Sequence, residues 1–163
     1  MKKFVLSVLV LFLFCFAPLQ AQSGMTELEV ELIELEWMDY PVINESGQIA
    51  GHYSTTDGYD HAFLYNSGTI DLGTLGGSVN KSDANAINNS GHIVGDSNAS
   101  IGYRAFLYKN ADEGMIDLGT LGGDRSSALD INNSGQIIGW SVTASGDYHA
   151  FLYKNAIVLK DCF

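Results

Sequence analysis

The stretch Ile87-Asn88-Asn89-Ser90-Gly91-His92-Ile93-Val94-Gly95 decides the fold, because the chain writes it three times. It stands earlier as Ile43-Asn44-Glu45-Ser46-Gly47-Gln48-Ile49-Ala50-Gly51 and later as Ile131-Asn132-Asn133-Ser134-Gly135-Gln136-Ile137-Ile138-Gly139. The period is 44 residues at both steps, from 43 to 87 to 131. Each copy places Asn-x-Ser-Gly between apolar, β-branched residues. The glycine supplies the positive φ that a short hairpin loop needs, so each copy predicts two strands joined by a tight turn.

Two further blocks keep the same order. His61-Ala62-Phe63-Leu64-Tyr65 recurs as Arg104-Ala105-Phe106-Leu107-Tyr108 and His149-Ala150-Phe151-Leu152-Tyr153. Ile70-Asp71-Leu72-Gly73-Thr74-Leu75-Gly76-Gly77 recurs as Ile116-Asp117-Leu118-Gly119-Thr120-Leu121-Gly122-Gly123. Asn66-Ser67-Gly68 between these blocks predicts a second hairpin, with Gly68 as its left-handed residue, and residues 110–114 form a longer version. Each unit therefore reads as four short strands closed by a Gly-rich loop. Four strands in 44 residues match one blade of a β-propeller. Segments such as Ala62-Phe63-Leu64-Tyr65 are apolar on both faces, which requires a sheet covered on both sides. The repeated Gly51, Gly95 and Gly139 predict a close backbone approach inside a strand. The expected architecture is all-β: tandem four-stranded antiparallel blades in a partial propeller-like arc, with a β-trefoil as the alternative. The units span about residues 41–83, 84–127 and 128–163. Alternation of Leu28, Val30 and Leu32 with glutamates predicts an extra N-terminal strand over 27–37, although a helix with Leu28, Leu32 and Leu35 on one side fits the same letters.

Ahead of the repeats, Lys2 and Lys3 precede an apolar run over residues 4–18, followed by Leu19-Gln20-Ala21. A basic start, an apolar core and a small exit residue define a signal peptide over 1–21. A single repeat domain over 22–163, secreted to the periplasm or the exterior, would then remain, with no stable membrane span. The 163-residue chain carries 8 Lys+Arg against 19 Asp+Glu, a net charge of −11. Removing residues 1–21 deletes two lysines and no acid, leaving −13. Such a surface repels phosphate, which excludes a non-specific grip on nucleic acid. Only Cys162 survives cleavage, so no internal disulfide can form.

The three blocks together resemble the HAF family of extracellular bacterial repeats, named for His-Ala-Phe, over about residues 27–155. The resemblance implies export, a propeller-like fold and no known catalytic activity. The chain departs from the family pattern at Arg104, in lacking a Gly-rich loop after Leu35, and in its last unit, which trails off as Ile157-Val158-Leu159-Lys160.

No constellation of residues reads as catalytic, metal-binding or cofactor-binding. His61 and His149 share a position that Arg104 fills in the middle unit, which no metal ligand set survives. Asp71 and Asp117 recur with the repeat, so they are expected to serve the fold by accepting backbone N–H bonds. The acids at Asp57, Asp60 and Asp147 lack the alternating ladder of a calcium loop. Gly73–Gly77 lacks the Lys-Ser/Thr of a phosphate loop, and Cys162 has no positioned base. What remains is aromatic: Trp140, Tyr53, Tyr59, Tyr103 and Tyr148 fall at strand ends or in variable loops, where they can contact a protein or glycan partner. The functional expectation is an exported, non-catalytic binding or surface-structural module; the alternative is a secreted hydrolase acting on carbohydrate or peptide. The unguarded C-terminal strand over 156–159 offers an edge for self-association.

Overall fold

The structure, a computed structural model, describes residues 38–154 and 157–159. The signal segment, the extra N-terminal strand over 27–37 and Cys162 lie outside the described residues. Within them the chain is all-β, without a helix, and forms three four-stranded antiparallel sheets. The first comprises β1 (Met38–Ile43), β2 (Ile49–Ser54), β3 (Asp60–Tyr65) and β4 (Thr69–Gly73). The second comprises β5 (Ser82–Ile87), β6 (Ile93–Asn98), β7 (Tyr103–Tyr108) and β8 (Met115–Asp117). The third comprises β9 (Gly122–Ile131), β10 (Ile137–Thr143), β11 (Tyr148–Lys154) and β12 (Ile157–Leu159). Strands neighbour one another in chain order in every sheet. The three sheets stay separate and none closes into a barrel, which sets the trefoil alternative aside.

The register repeats with the sequence. Ile49 opposes Tyr65, Ile93 opposes Tyr108, and Ile137 opposes Tyr153. Side chains of the middle sheet then alternate between two cores. Ile93, Phe106 and Tyr108 pack with Ala50, Ala62, Leu64 and Leu72 of the first sheet. Val94, Ala105 and Leu107 pack with Ala128, Ile131 and Ile137 of the third. The middle sheet is thus covered on both faces, as its doubly apolar strands require.

Recurring polar contacts make the joints. Asn44 Oδ1 accepts the N–H groups of Ser46 and Gln48 at 3.0 Å, closing its own turn. Its Nδ2 donates across to the Asn88 carbonyl at 2.9 Å, and Asn88 Nδ2 donates to the Asn132 carbonyl at 3.2 Å. The three turns are therefore linked in a ladder, which explains an asparagine at every repeat. At the other side of each joint, Ser82 Oγ accepts the Ala62 N–H (2.8 Å) and donates to the Gly73 carbonyl (2.6 Å). Ser126 does the same for Ala105 (2.9 Å) and Gly119 (2.6 Å). Asp71 and Asp117 accept the N–H of Gly73 and Gly119 at 2.8 and 2.7 Å, holding the Gly-rich loops in shape.

Close approach explains Gly95 and Gly139. A Cβ at Gly95 would collide with the Asp83 carbonyl oxygen, and one at Gly139 with that of Ser127. One local expectation is corrected. In the Asn66-Ser67-Gly68 hairpin the left-handed residue is Ser67 (φ 58°), not Gly68, because Asn66 N–H closes the loop on the Gly68 carbonyl at 3.0 Å.

Candidate functional site

The third sheet is the last formed by the described residues, and its outer face is where the repeat changes character. In the first two sheets the face turned toward the following sheet is sealed: Ala50 and Val94 are both 0% exposed, and Leu64 and Leu107 are buried beside them. The matching residue in β10, Ile138, is 50% exposed, Ala150 is exposed, and Leu152 is half-buried. Two joint positions also lose their polarity. His52 lies 3.2 Å from Asp83 across the first joint, and Asp96 accepts the Ser127 hydroxyl at 2.7 Å across the second. Their counterpart in the third sheet, opposite Ala150 as they are opposite Ala62 and Ala105, is Trp140. Likewise Asn85 of β5 donates to the Ala128 carbonyl at 2.8 Å, whereas Leu129 in its place is 50% exposed.

Trp140 and Tyr148 meet on this sheet, with ring centroids 5.3 Å apart and planes tilted by 47°. Tyr148 is the most exposed of the five aromatic candidates, at 65%. Tyr59 and Tyr103 are partly exposed in the first and second units, and nothing brings them to the Trp140 pair. Tyr53 is buried at 3%, edge-on to Phe63 and His61. Burial, with the Asp71 carboxylate nearby, pushes its phenol up to about 12, so it stays protonated.

The titratable groups are arranged as braces. Lys81 Nζ lies 3.1 Å from Asp60 and 3.6 Å from Asp83, tying β3 of the first sheet to β5 of the second. Burial opposes the charge on Asp60, but the Ser54 hydroxyl and Lys81 outweigh it and hold the carboxyl below the usual range. Burial raises Asp96 instead; Asp83, directly opposite across the β5–β6 pair, adds to that shift, and the Ser127 hydroxyl offsets part of it. His61 Nδ1 lies 3.0 Å from Asp71, while its buried Nε2 has no hydrogen-bond partner among the described residues. Among the described residues no group of three or more His, Cys, Asp or Glu side chains is arranged to hold a metal ion, and no helix is long and apolar enough to cross a membrane.

Sequence reasoning missed the joint serines and the significance of position 140. The signal was available: Ser82 and Ser126 are 44 residues apart, as are Ser97 and Ser141, and positions 52, 96 and 140 read His, Asp, Trp. No family model matches this chain, and no curated protein matches it.

Proposed function

We propose that this chain is an exported, non-catalytic repeat module of the HAF type, a partial propeller-like arc of three blades that binds a partner through the outer face of its last blade. The observation that carries this reading is the exposure of Ile138 and Ala150, beside a half-buried Leu152, where the counterparts are sealed in both internal joints. Trp140 and Leu129 extend that face with apolar side chains at positions that serve polar contacts elsewhere. Covering a large apolar side chain contributes about 1.5–3 kcal/mol, so a partner seated on several of them gains substantial affinity. Trp140 and Tyr148 are the ligand-contact residues of this reading, and the partner is a protein or a glycan. A second copy of the chain is one such protein, with β12 at the sheet edge as a further point of contact. The N-terminal segment over 1–21 directs export.

Light scattering after gel filtration, together with a glycan array, tests the proposal on the mature chain. The expected result is a dimer or larger that Ile138→Lys returns to monomer, or retention of a glycan that Trp140→Ala abolishes. If Val158→Lys dissolves the assembly and Ile138→Lys does not, the contact is the β12 edge and not the face. A concentration-independent monomer that retains no glycan refutes the reading.

A further inference from the structure

The two internal joints also differ at their turn ends, and the second holds a cleft there. In the first joint Gln48 reaches across to the neighbouring turn. Its Oε1 accepts Asn44 Nδ2 at 2.7 Å and lies so near Gly91 that a Cβ there would sit 3.0 Å from it. The third unit has Gln136 in the same place, bonded to Asn132 in the same way at 2.7 Å. Only the middle unit departs, with His92. The asparagine Nδ2 donates to the next turn's carbonyl in both joints, but in the second nothing lies within 4 Å of where a Cβ would stand on Gly135. In the second joint this end holds a cleft of about 310 Å³, with His92 and Gly135 in its wall.

Its lining is chemically selective. Leu107, Ile131 and Tyr153 supply apolar surface, and Ser90, Asn133 and Ser134 surround it with hydroxyl and amide groups. Asn133 Oδ1 is engaged by the Asn89 N–H at 2.9 Å, so its Nδ2 is the group free to donate. His92 and Lys109 complete the wall, and no carboxylate takes part in it, in a chain with 19 acids. Among the described residues Lys109 pairs with exposed Glu113, at 3.5 Å, a contact worth little in water and readily exchanged. Apolar surface ringed by short polar groups suits the two-sided character of a sugar ring, and Lys109, whose exposed pairing with Glu113 is readily exchanged, can take a carboxylate on that ring in its place. The volume lies at the lower end of small-ligand sites, enough for one ring and more than a bare inorganic anion fills.

We propose that the cleft between the second and third sheets is a binding site for a sugar acid, with Lys109 and His92 at the carboxylate and Ser90, Asn133 and Ser134 at the hydroxyls. The site is separate from the outer face of the third sheet and stands or falls independently of it. The test is an NMR titration of the full chain with sodium glucuronate, with glucose and sodium phosphate as comparison ligands. Glucuronate is expected to shift the amide signals of Ser90, His92, Lys109 and Ser134 saturably, with glucose weaker by about tenfold, or about 1.4 kcal/mol. His92→Gln places in the middle unit the residue the other two already carry, so it folds, and it takes the imidazole out of the cleft wall; glucuronate affinity is expected to fall about tenfold. Lys109→Gln, on the surface, is expected to bring glucuronate down to the affinity of glucose. The proposal is overturned if glucuronate gives no saturable shift, if phosphate reproduces the shifts as a bare anion, or if His92→Gln binds unchanged.

Discussion

Replacing Ser126 by alanine removes one oxygen and is expected to loosen a whole joint. Ser126 is fully buried, and its hydroxyl accepts the Ala105 N–H at 2.9 Å while donating to the Gly119 carbonyl at 2.6 Å. Alanine fits the space but leaves both backbone groups without a partner. Each orphaned buried group costs about 1–3 kcal/mol, and the void of one oxygen is too small to admit a water in compensation. The loss should therefore be about 2–6 kcal/mol, a large share of the stability of a small domain. Urea denaturation of parent and variant at neutral pH reads it as a lowered midpoint at unchanged slope. Ser82→Ala, which breaks the same bridge in the first joint, should cost a similar amount. The two share no partner, so the double variant should add to within about 0.5 kcal/mol. Ser134→Ala, in an exposed turn, serves as the control and should stay within about 0.5 kcal/mol of the parent. A Ser126→Ala loss no larger than that control would refute the view that the serine hydroxyls hold the sheets together.

The strand glycines should respond in order of what a methyl group would meet. Gly139→Ala, which drives into the Ser127 carbonyl and the Phe151 ring, should lower thermal stability by the equivalent of about 2 kcal/mol or more. Gly51→Ala, whose nearest obstacle is the Phe63 ring edge at 3.1 Å, should cost about 1 kcal/mol or less; equal losses would count against close approach as the cause. Asp96 gives a pH signature. Its carboxyl is raised by burial and by Asp83, so it holds a proton more firmly folded than unfolded. The stability it contributes is complete below about pH 4 and is lost as pH rises through the raised value. Asp96→Asn removes that slope, and urea midpoints should shift in favour of the variant between about pH 4 and pH 7. A difference that does not change with pH would place the proton elsewhere.

The sequence by itself determined the three units, their four strands each and the positions of the turns. Those features are local: Asn-x-Ser-Gly closes a hairpin through the Asn side chain and the glycine φ, wherever the hairpin later packs. It also determined that the strands must be covered on two faces, since Phe106 and Leu107 are adjacent, both apolar, and point to opposite sides. Which residues meet across the joints was decided only in three dimensions. Ser82 and Ala62 are 20 residues apart and Asp96 and Ser127 31, and no local pattern marks either pair. The five aromatic candidates are alike as letters, yet tertiary packing buries Tyr53 against Phe63 and sets Trp140 beside Tyr148 on the open third sheet. The cleft is decided the same way. His92 is one substitution in a repeated motif, and it gains meaning only because packing sets it in the cleft wall. Hairpins follow from contacts between near neighbours in the chain, whereas sites follow from which face of each unit is left uncovered by the next.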